Sequence, residues 1–208
     1  MAVANPKLLV ARGYDKVADE YVRWRTRETR DSIVTHLDRA TDGLPRGARV
    51  LDVGCGAGMP YAAHLSERFE VVGVDISHRQ LALAHELVRG ASFLRADMCA
   101  LPFASTSFDA IVALYSIIHV PKEEHETLFR SLREMLRQGG RLLAVVGSQA
   151  WEGTESDWLV RGAEMFWSHF DGEHYLRLIA DAGFNVLNSS IEPDPLGGAH
   201  LFVHARKP

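Results

Sequence analysis

Cysteine is almost missing from this chain: 208 residues contain only Cys55 and Cys99. That makes no disulfide framework, and neither thiol sits in a Cys-x-x-Cys or other metal-ligand spacing. Stapled secreted scaffolds and structural zinc modules are therefore excluded. No window approaches the continuous apolar length that crosses a bilayer. Met1–Val10 lacks the apolar core of a signal peptide, so the expectation is a soluble cytoplasmic protein. An excess of basic charge is missing too. The net charge is −4 and the pI near 6.2, which argues against a dedicated polyanion binder. The one local exception is Arg23, Arg25, Arg27 and Arg30, which read as a solvated helix face balanced by Glu28 and Asp31. Internal repeats and low-complexity tracts do not occur. Apolar residues at 47% and charged residues at 24% describe an ordinary globular chain, long enough for one domain with a sizeable core.

The hydrophobic pattern is helical first and alternating afterwards. In residues 8–42, Tyr14, Val17, Ala18, Tyr21 and Val22 recur at helical spacing. A second helix is expected over Arg27–Ala40, ending at Asp42-Gly-Leu-Pro45. Strands are then expected at Arg49–Val53, Glu70–Asp75, Ser92–Arg95, Phe108–Leu114 and Arg141–Val146. Helices separate them: Pro60–Arg68, Arg79–Val88 with Ser77 as N-cap, and one from Pro121 to Arg137 that Gly139 caps. Such alternation implies parallel pairing and right-handed crossovers. Residues 148–171, rich in Trp, Gly and Ser, interrupt the pattern without a predicted element. A helix over Gly172–Asp181 and strands near Asn185–Ile191 and Ala199–Ala205 complete the chain, the last two joined by a hairpin turn through Pro193–Gly198. The expected organisation is a single domain: a helical cap (1–44), a cofactor-binding core (45–147), an aromatic-rich lid (148–171) and a C-terminal helix and hairpin (172–208).

The most informative stretch is Arg49-Val-Leu-Asp-Val-Gly-Cys-Gly-Ala-Gly58. It reads as a buried strand ending in an acid and three alternating glycines. Backbone without Cβ atoms approaches a ligand closely. The spacing is G-x-G-x-G, not the G-x-G-x-x-G that presents amide groups to a pyrophosphate. Pro60 stands near where the third glycine of that fingerprint would fall, which disfavours a nicotinamide dehydrogenase. In a doubly wound sheet, ligands collect at the carboxyl ends of the strands. Asp52, Asp75 and Asp97 follow one another by a βα unit each, so all three are placed to face one crevice. Asp75, with Ile76 beside it, ends the second strand about twenty residues past the glycines, where an acid takes the hydroxyls of a ribose. Asp52 is expected beneath the loop, orienting it or meeting the ammonium of a bound amino acid; buried there, it needs a partner.

Together with Val72-Gly-Val-Asp75, Phe93-Leu-Arg-Ala-Asp97, Leu101-Pro-Phe103, Ser107-Phe-Asp109 and Leu132-Arg-Glu-Met-Leu-Arg-Gln-Gly-Gly-Arg141, this loop resembles that of the class I S-adenosylmethionine-dependent methyltransferases. The resemblance covers residues 45–206. It implies a Rossmann-like three-layer α/β sandwich with a mostly parallel seven-stranded sheet, order 3-2-1-4-5-7-6 and strand 7 antiparallel. It implies S-adenosylmethionine as cofactor, S-adenosylhomocysteine as product, and backbone contacts from Gly54, Cys55, Gly56 and Gly58. It places Asp97 against the adenine amino group, with Met98 over the ring. Tyr115, at the end of the fourth strand, joins the cofactor set. Tyr14-Asp-Lys-Val-Ala-Asp-Glu-Tyr21 resembles the entry segment of small-molecule members, in which an aromatic closes over the methionine end.

Methyl transfer needs alignment and exclusion of water, and some acceptors must also lose a proton, for which His is suited. Of ten His, His119 beyond the fourth strand and His169 in the aromatic segment are the candidates for catalysis. A structural role is the competing reading for each. His125 reads as a satisfied core histidine. Tyr21, Trp151 and Trp167 are the candidate substrate contacts, with Trp158 nearby. Leu114-Tyr-Ser-Ile117 replaces the Pro-Pro-Tyr/Phe of base N-methyltransferases. The reading is methyl transfer to oxygen or nitrogen of a small organic molecule by a monomer or homodimer, with no metal, membrane or nucleic acid. The alternatives are an RNA or protein acceptor, or a non-methylating binding protein or cyclase on the same scaffold.

Overall fold

The computed structural model describes residues 5–27, 31–194 and 197–208. Its main sheet holds β1 (Arg49–Val53), β2 (Glu70–Asp75), β3 (Ala91–Arg95), β4 (Phe108–Leu114), β5 (Leu136–Gly147), β8 (Asn185–Pro193) and β9 (Ala199–Arg206). The order is β3-β2-β1-β4-β5-β9-β8. The first five strands are parallel, while β9 runs antiparallel to both β5 and β8. With its seven strands numbered in chain order, the sheet has the topology implied by the resemblance.

Side chains alternate across a strand, and this alternation makes two core layers. Leu51, Val53, Ile111, Ala113, Leu142 and Ala144 face α5 (His125–Met135) and α6 (Gly172–Asp181), meeting Phe129, Leu132, Tyr175 and Ile179. Val50, Val112, Leu143, Val145 and Phe202 face the other way, onto α2 (Asp31–Thr41) and α3 (Tyr61–Ser66), where Ile33, Leu37 and Leu65 cover them. α4 (His78–Leu87) starts where Ser77 accepts from the Gln80 N–H, the expected cap. The five-residue β3 and the largely exposed β8 form the two edges.

Three expectations are corrected. The helix expected from Pro121 is a 3-10 turn over Lys122–Glu124 followed by α5, and it stops at Met135. Leu136 is already paired with Phe108 in β5, so Gly139, at φ +74°, bends a strand rather than capping a helix. The helix expected over Pro60–Arg68 has six residues. Residues 148–171 hold a two-stranded antiparallel sheet, β6 (Trp151–Ser156) and β7 (Glu164–His169).

The N-terminal helix α1 (Pro6–Arg27) lies on that hairpin. Val10 and Val17 pack on Trp158, Met165 and Phe166. Gly13 lets the two backbones touch: a Cβ there would stand 2.4 Å from the Glu164 carbonyl oxygen. Asp15 and Asp19 fix the other side of α1. Asp15 accepts from Ser77 Oγ at 2.6 Å and the Arg79 N–H at 2.9 Å, and Asp19 pairs with the Arg79 guanidinium. Helix and hairpin thus roof the carboxyl ends of the parallel strands.

The arginine-rich stretch is not the uniform solvated face expected. Arg23 is exposed and paired with Glu20, whereas Arg25 is only 9% exposed. Glu28, Arg30 and the side chains of Arg27 and Asp31 lie outside the described residues.

Candidate active site

The loop after β1 turns sharply back over β2. The N–H groups of Gly54 and Cys55 both reach the Val74 carbonyl, at 2.7 and 3.0 Å. Gly54, at φ +77°, has no room for a side chain: a Cβ would fall 2.2 Å from that of Ser116. Ser116 in turn donates to the Val53 carbonyl at 2.6 Å. This locks the loop against the end of β4. Asp75 closes the turn, accepting the N–H groups of Gly56 and Ser77 at 2.8 Å each. Its carboxyl is pushed up by burial, and the two backbone donors oppose that shift.

A cleft of about 660 Å³, measured to its open mouth, runs along these strand ends. Gly54, Gly56, Asp75 and Ile76 form its floor, Asp97 and Met98 one end, and Tyr14, Tyr21, Tyr115 and His119 the other. Ten residues expected around the cofactor or the reacting groups thus share one space. Asp97 already holds two partners: its Oδ1 accepts the Cys99 N–H and its Oδ2 pairs with Lys7 at 2.9 Å. Lys7, which also pairs with Glu124 at 2.5 Å, closes the start of α1 over this end.

A smaller recess continues from the cleft behind the glycine loop, lined by Asp52, Cys55, Arg25 and Tyr21. Asp52 is 3% exposed and has no hydrogen-bond or ion-pair partner among the described residues. Burial, reinforced by the charge of Asp75, lifts its carboxyl to about 7. Arg25 has no carboxylate partner among the described residues either. Its guanidinium donates to Tyr21 Oη at 2.9 Å and lies 4.6 Å from the Tyr115 ring centroid. The recess therefore offers one unmatched acid and one unmatched base. Buried charges without counter-charges are costly, and a zwitterionic amino-acid end supplies both.

Two expected contacts are placed differently. The Cys55 sulfur turns toward Gly73, so Cys55 meets the recess beside its backbone, with its thiol pushed up by burial. Gly58 lines none of the cavities found among the described residues. Its missing Cβ makes room for Val88 and Phe93.

The second, larger cavity, about 1380 Å³ to its open mouth, adjoins the first at Tyr14, Tyr21, Tyr115 and His119. The hairpin contributes Trp151, Trp158, Trp167 and His169. Tyr14 stands edge-on to both Tyr21 and Trp158, each with ring centroids 5.5 Å apart. His119 sits under this aromatic wall, 4.4 Å from the Trp167 ring. Both its nitrogens are engaged. Nδ1 lies 2.8 Å from the Phe166 carbonyl, which only accepts, so Nδ1 carries the proton. Nε2 then accepts from the Tyr14 hydroxyl at 2.9 Å. Burial lowers the imidazole to about 4 and raises the Tyr14 phenol, so the pair is neutral at pH 7. Such a histidine ties α1, the end of β4 and β7 together, and has no lone pair to spare. His169 donates from Nδ1 to the Gln149 carbonyl at 2.6 Å, and burial lowers it as well. His125 is the core histidine expected: Nε2 donates to the Val120 carbonyl and Nδ1 accepts from Tyr175.

Sequence reasoning passed over Lys7, Arg25, Asp194 and His200. Arg25 had a signal: it follows Tyr14 and Tyr21 on one helical stripe. Asp194 and His200 had none, because only the β8–β9 hairpin brings them to the second cavity.

A mostly parallel sheet of this order, carrying acids at successive strand ends around a backbone-lined bend, defines a protein that binds a nucleoside bearing an amino-acid tail. The comparisons agree. The family model described as a methyltransferase domain matches residues 50–140. Methyltransferase GfsG of Streptomyces halstedii is 33% identical over 206 residues, covering 87% of this chain and 72% of that protein. The 27-O-demethylrifamycin SV methyltransferase of Amycolatopsis mediterranei is 33% identical over 155 residues, covering 64% of this chain and 56% of that protein. Among solved structures, magnesium protoporphyrin IX methyltransferase from Synechocystis with bound S-adenosylmethionine aligns with a TM-score of 0.71 at 18% identity, over the full length of both chains. The chain belongs to the class I S-adenosylmethionine-dependent methyltransferases, and its cofactor is S-adenosylmethionine. Among the described residues, no helix is long and apolar enough to cross a membrane.

Proposed function

We propose that this enzyme methylates an oxygen or nitrogen of a small, largely apolar organic molecule in the cytoplasm. The observation that carries the reading is the joint between the two cavities. Tyr14, Tyr21, Tyr115 and His119 belong to both, so a methyl group delivered from the first emerges into the second. On this reading Asp75 takes the ribose hydroxyls with its remaining lone pairs. Asp97 and Met98 receive the adenine, and Asp52 and Arg25 take the ammonium and carboxylate of the methionine end. The cofactor supplies a methyl carbon activated by its bond to a positive sulfur. The chain's own part is to align the acceptor and exclude water. The Tyr14–His119–Phe166 chain of hydrogen bonds holds the wall between the cavities, and residues 148–171 serve as the lid of a single domain.

The aromatic lining of the second cavity favours a small apolar acceptor over RNA, whose phosphates need exposed basic side chains. Two relatives whose names give a small-molecule acceptor, demethylrifamycin and phosphoethanolamine, support a small molecule over RNA. The test is transfer of labelled methyl from S-adenosylmethionine into fractionated lysate. Label in the small-molecule fraction is expected. Label confined to RNA or protein would overturn the acceptor class. Tight binding of S-adenosylhomocysteine without labelling of any fraction would favour a non-methylating member of the fold.

A further inference from the structure

His200 is the second residue of β9 and lines the second cavity, beside Asp194 at the start of the β8–β9 connection. Its Nδ1 is buried with no hydrogen bond among the described residues, and the group that approaches it is Asp194 Oδ2, at 3.4 Å. That is a little long for a hydrogen bond. Catalytic hydrogen bonds are often loose before a substrate arrives. The Asp194 side chain is 6% exposed, so its carboxylate is aimed inward. The imidazole of His200 stands edge-on to Tyr115, with ring centroids 4.9 Å apart, and Tyr115 belongs to the wall shared with the cofactor cleft. A second buried polar atom with no hydrogen bond among the described residues, Trp167 Nε1, belongs to a residue lining the same cavity. His119 has no lone pair left. His200, by contrast, has a carboxylate behind Nδ1, which leaves Nε2 as the acceptor nitrogen.

We propose that Asp194 and His200 form the general-base pair of this methyltransferase, and that the acceptor is a hydroxyl group. This rests on the methyl-transfer reading above. Asp194 holds the proton of His200 on Nδ1. The acceptor O–H passes its proton to Nε2, and the freed oxygen pair forms the bond to the methyl carbon. The carbon–sulfur bond breaks with its pair remaining on sulfur, so the thioether leaves neutral and the imidazolium carries the charge. A carboxylate acceptor has no proton to lose. A neutral amine attacks through its own lone pair before any proton leaves, so a base held ready at the cavity wall suits a hydroxyl best. The groups facing His200 are Asp194, Tyr115, His119 and His169, with Tyr14, Tyr21, Arg25 and Glu155 elsewhere on the lining.

The experiment has two readouts. The first is the long-range proton–nitrogen spectrum of the imidazoles in the 15N-histidine protein, with S-adenosylhomocysteine bound, at pH 8. The signal lost in His200→Gln is expected to be the Nδ1–H tautomer, and Asp194→Asn is expected to abolish that tautomer's dominance. A predominantly Nε2–H His200 overturns the proposal. The second is methyl transfer to 2-naphthol and 4-ethylphenol, which keep their O–H proton at neutral pH, beside aniline and phenethylamine as amine probes. Transfer to a phenol is expected, with His200→Gln lowering kcat by about 100-fold or more while KM and S-adenosylhomocysteine affinity stay within threefold. Asp194→Asn is expected to lower kcat less and to shift the rising limb of the pH profile. Transfer to amines alone, to no phenol, or undiminished in His200→Gln overturns the pair. Loss of S-adenosylhomocysteine binding in the wild-type chain would instead overturn the cofactor reading beneath it.

Discussion

The two adjoining cavities are built on opposite plans. The cofactor cleft is made by backbone and carboxylates: a side-chain-free bend, amide groups clamped by Asp75, and acids at three successive strand ends. The acceptor cavity is made by side chains from distant elements: tyrosines from α1, tryptophans from β6, β7 and their connection, and histidines from β7 and β9. The first plan tolerates almost no change, because a backbone path has no spare rotamer. The second is an assembly of rings that exchange contacts, so single changes there should alter fit before they alter binding of the nucleoside.

The sharpest break of that contrast is Gly54→Val. Its Cβ would overlap Ser116 and its φ of +77° strains any branched side chain. S-adenosylhomocysteine binding by calorimetry is expected to weaken more than about 100-fold, against a cost of a few kcal/mol for strain and overpacking. A melting curve separates lost binding from lost fold. Affinity near that of the wild type would mean that the loop does not approach the ligand.

Arg25→Met is expected to weaken the same ligand by about 10- to 100-fold, the range for losing a charge-assisted hydrogen bond. The substitution keeps an unbranched apolar stem against Tyr21 and Tyr115. Unchanged affinity, with a lower melting temperature, would assign the guanidinium to stacking alone and leave the carboxylate end of the ligand without its anchor.

Asp52 separates the cavities by pH. Its carboxyl lies near 7 in the free protein, well above the unperturbed range. Binding an ammonium requires the ionised form, so the bound-state value must be lower. The linkage sign follows: affinity for S-adenosylhomocysteine is fully present above pH 7 and falls as pH drops through 7, by at most tenfold per unit. Asp52→Asn should flatten that dependence. A wild-type profile level from pH 8 to 5.5 would show that Asp52 does not meet the ligand's charge.

The same contrast decides what the sequence disclosed. β1, β2 and β4 are short apolar runs that meet an acid or a turn, and the structure has those boundaries. The glycines and acids of the cofactor cleft lie in short local motifs, so spacing alone brings them together. β6 and β7 escaped because Glu152, Glu155 and Ser156 break any alternation. Their pairing depends instead on the cover α1 gives to β7. Gly139 misled because a glycine after an amphipathic run signals a helix end, whereas here Leu136 had already joined Phe108 in the sheet. Buried polar pairs were the least legible. His36 bridges His204 at 2.8 Å and Glu192 at 2.6 Å, joining α2 to the β8–β9 hairpin across positions remote in the chain. Arg25 was read with its charged neighbours because charge patterning is local, while its burial depends on Tyr115 from β4's far end.

The smallest expected effect lies on the lid. Trp151 is 48% exposed and its ring meets Trp167 and His169 at centroid distances near 6.4 and 6.3 Å, so Trp151→Ala removes little buried area and should barely shift the melting temperature. S-adenosylhomocysteine affinity should stay within twofold, because no atom of Trp151 lines the cofactor cleft. KM for 2-naphthol should rise about two- to fivefold, the consequence of losing roughly 1 kcal/mol of apolar contact, with kcat unchanged. An equal loss of nucleoside affinity would tie the two cavities into one cooperative unit. An unchanged KM would place the acceptor deeper, against Trp158 and Trp167, and make Trp151 a part of the rim.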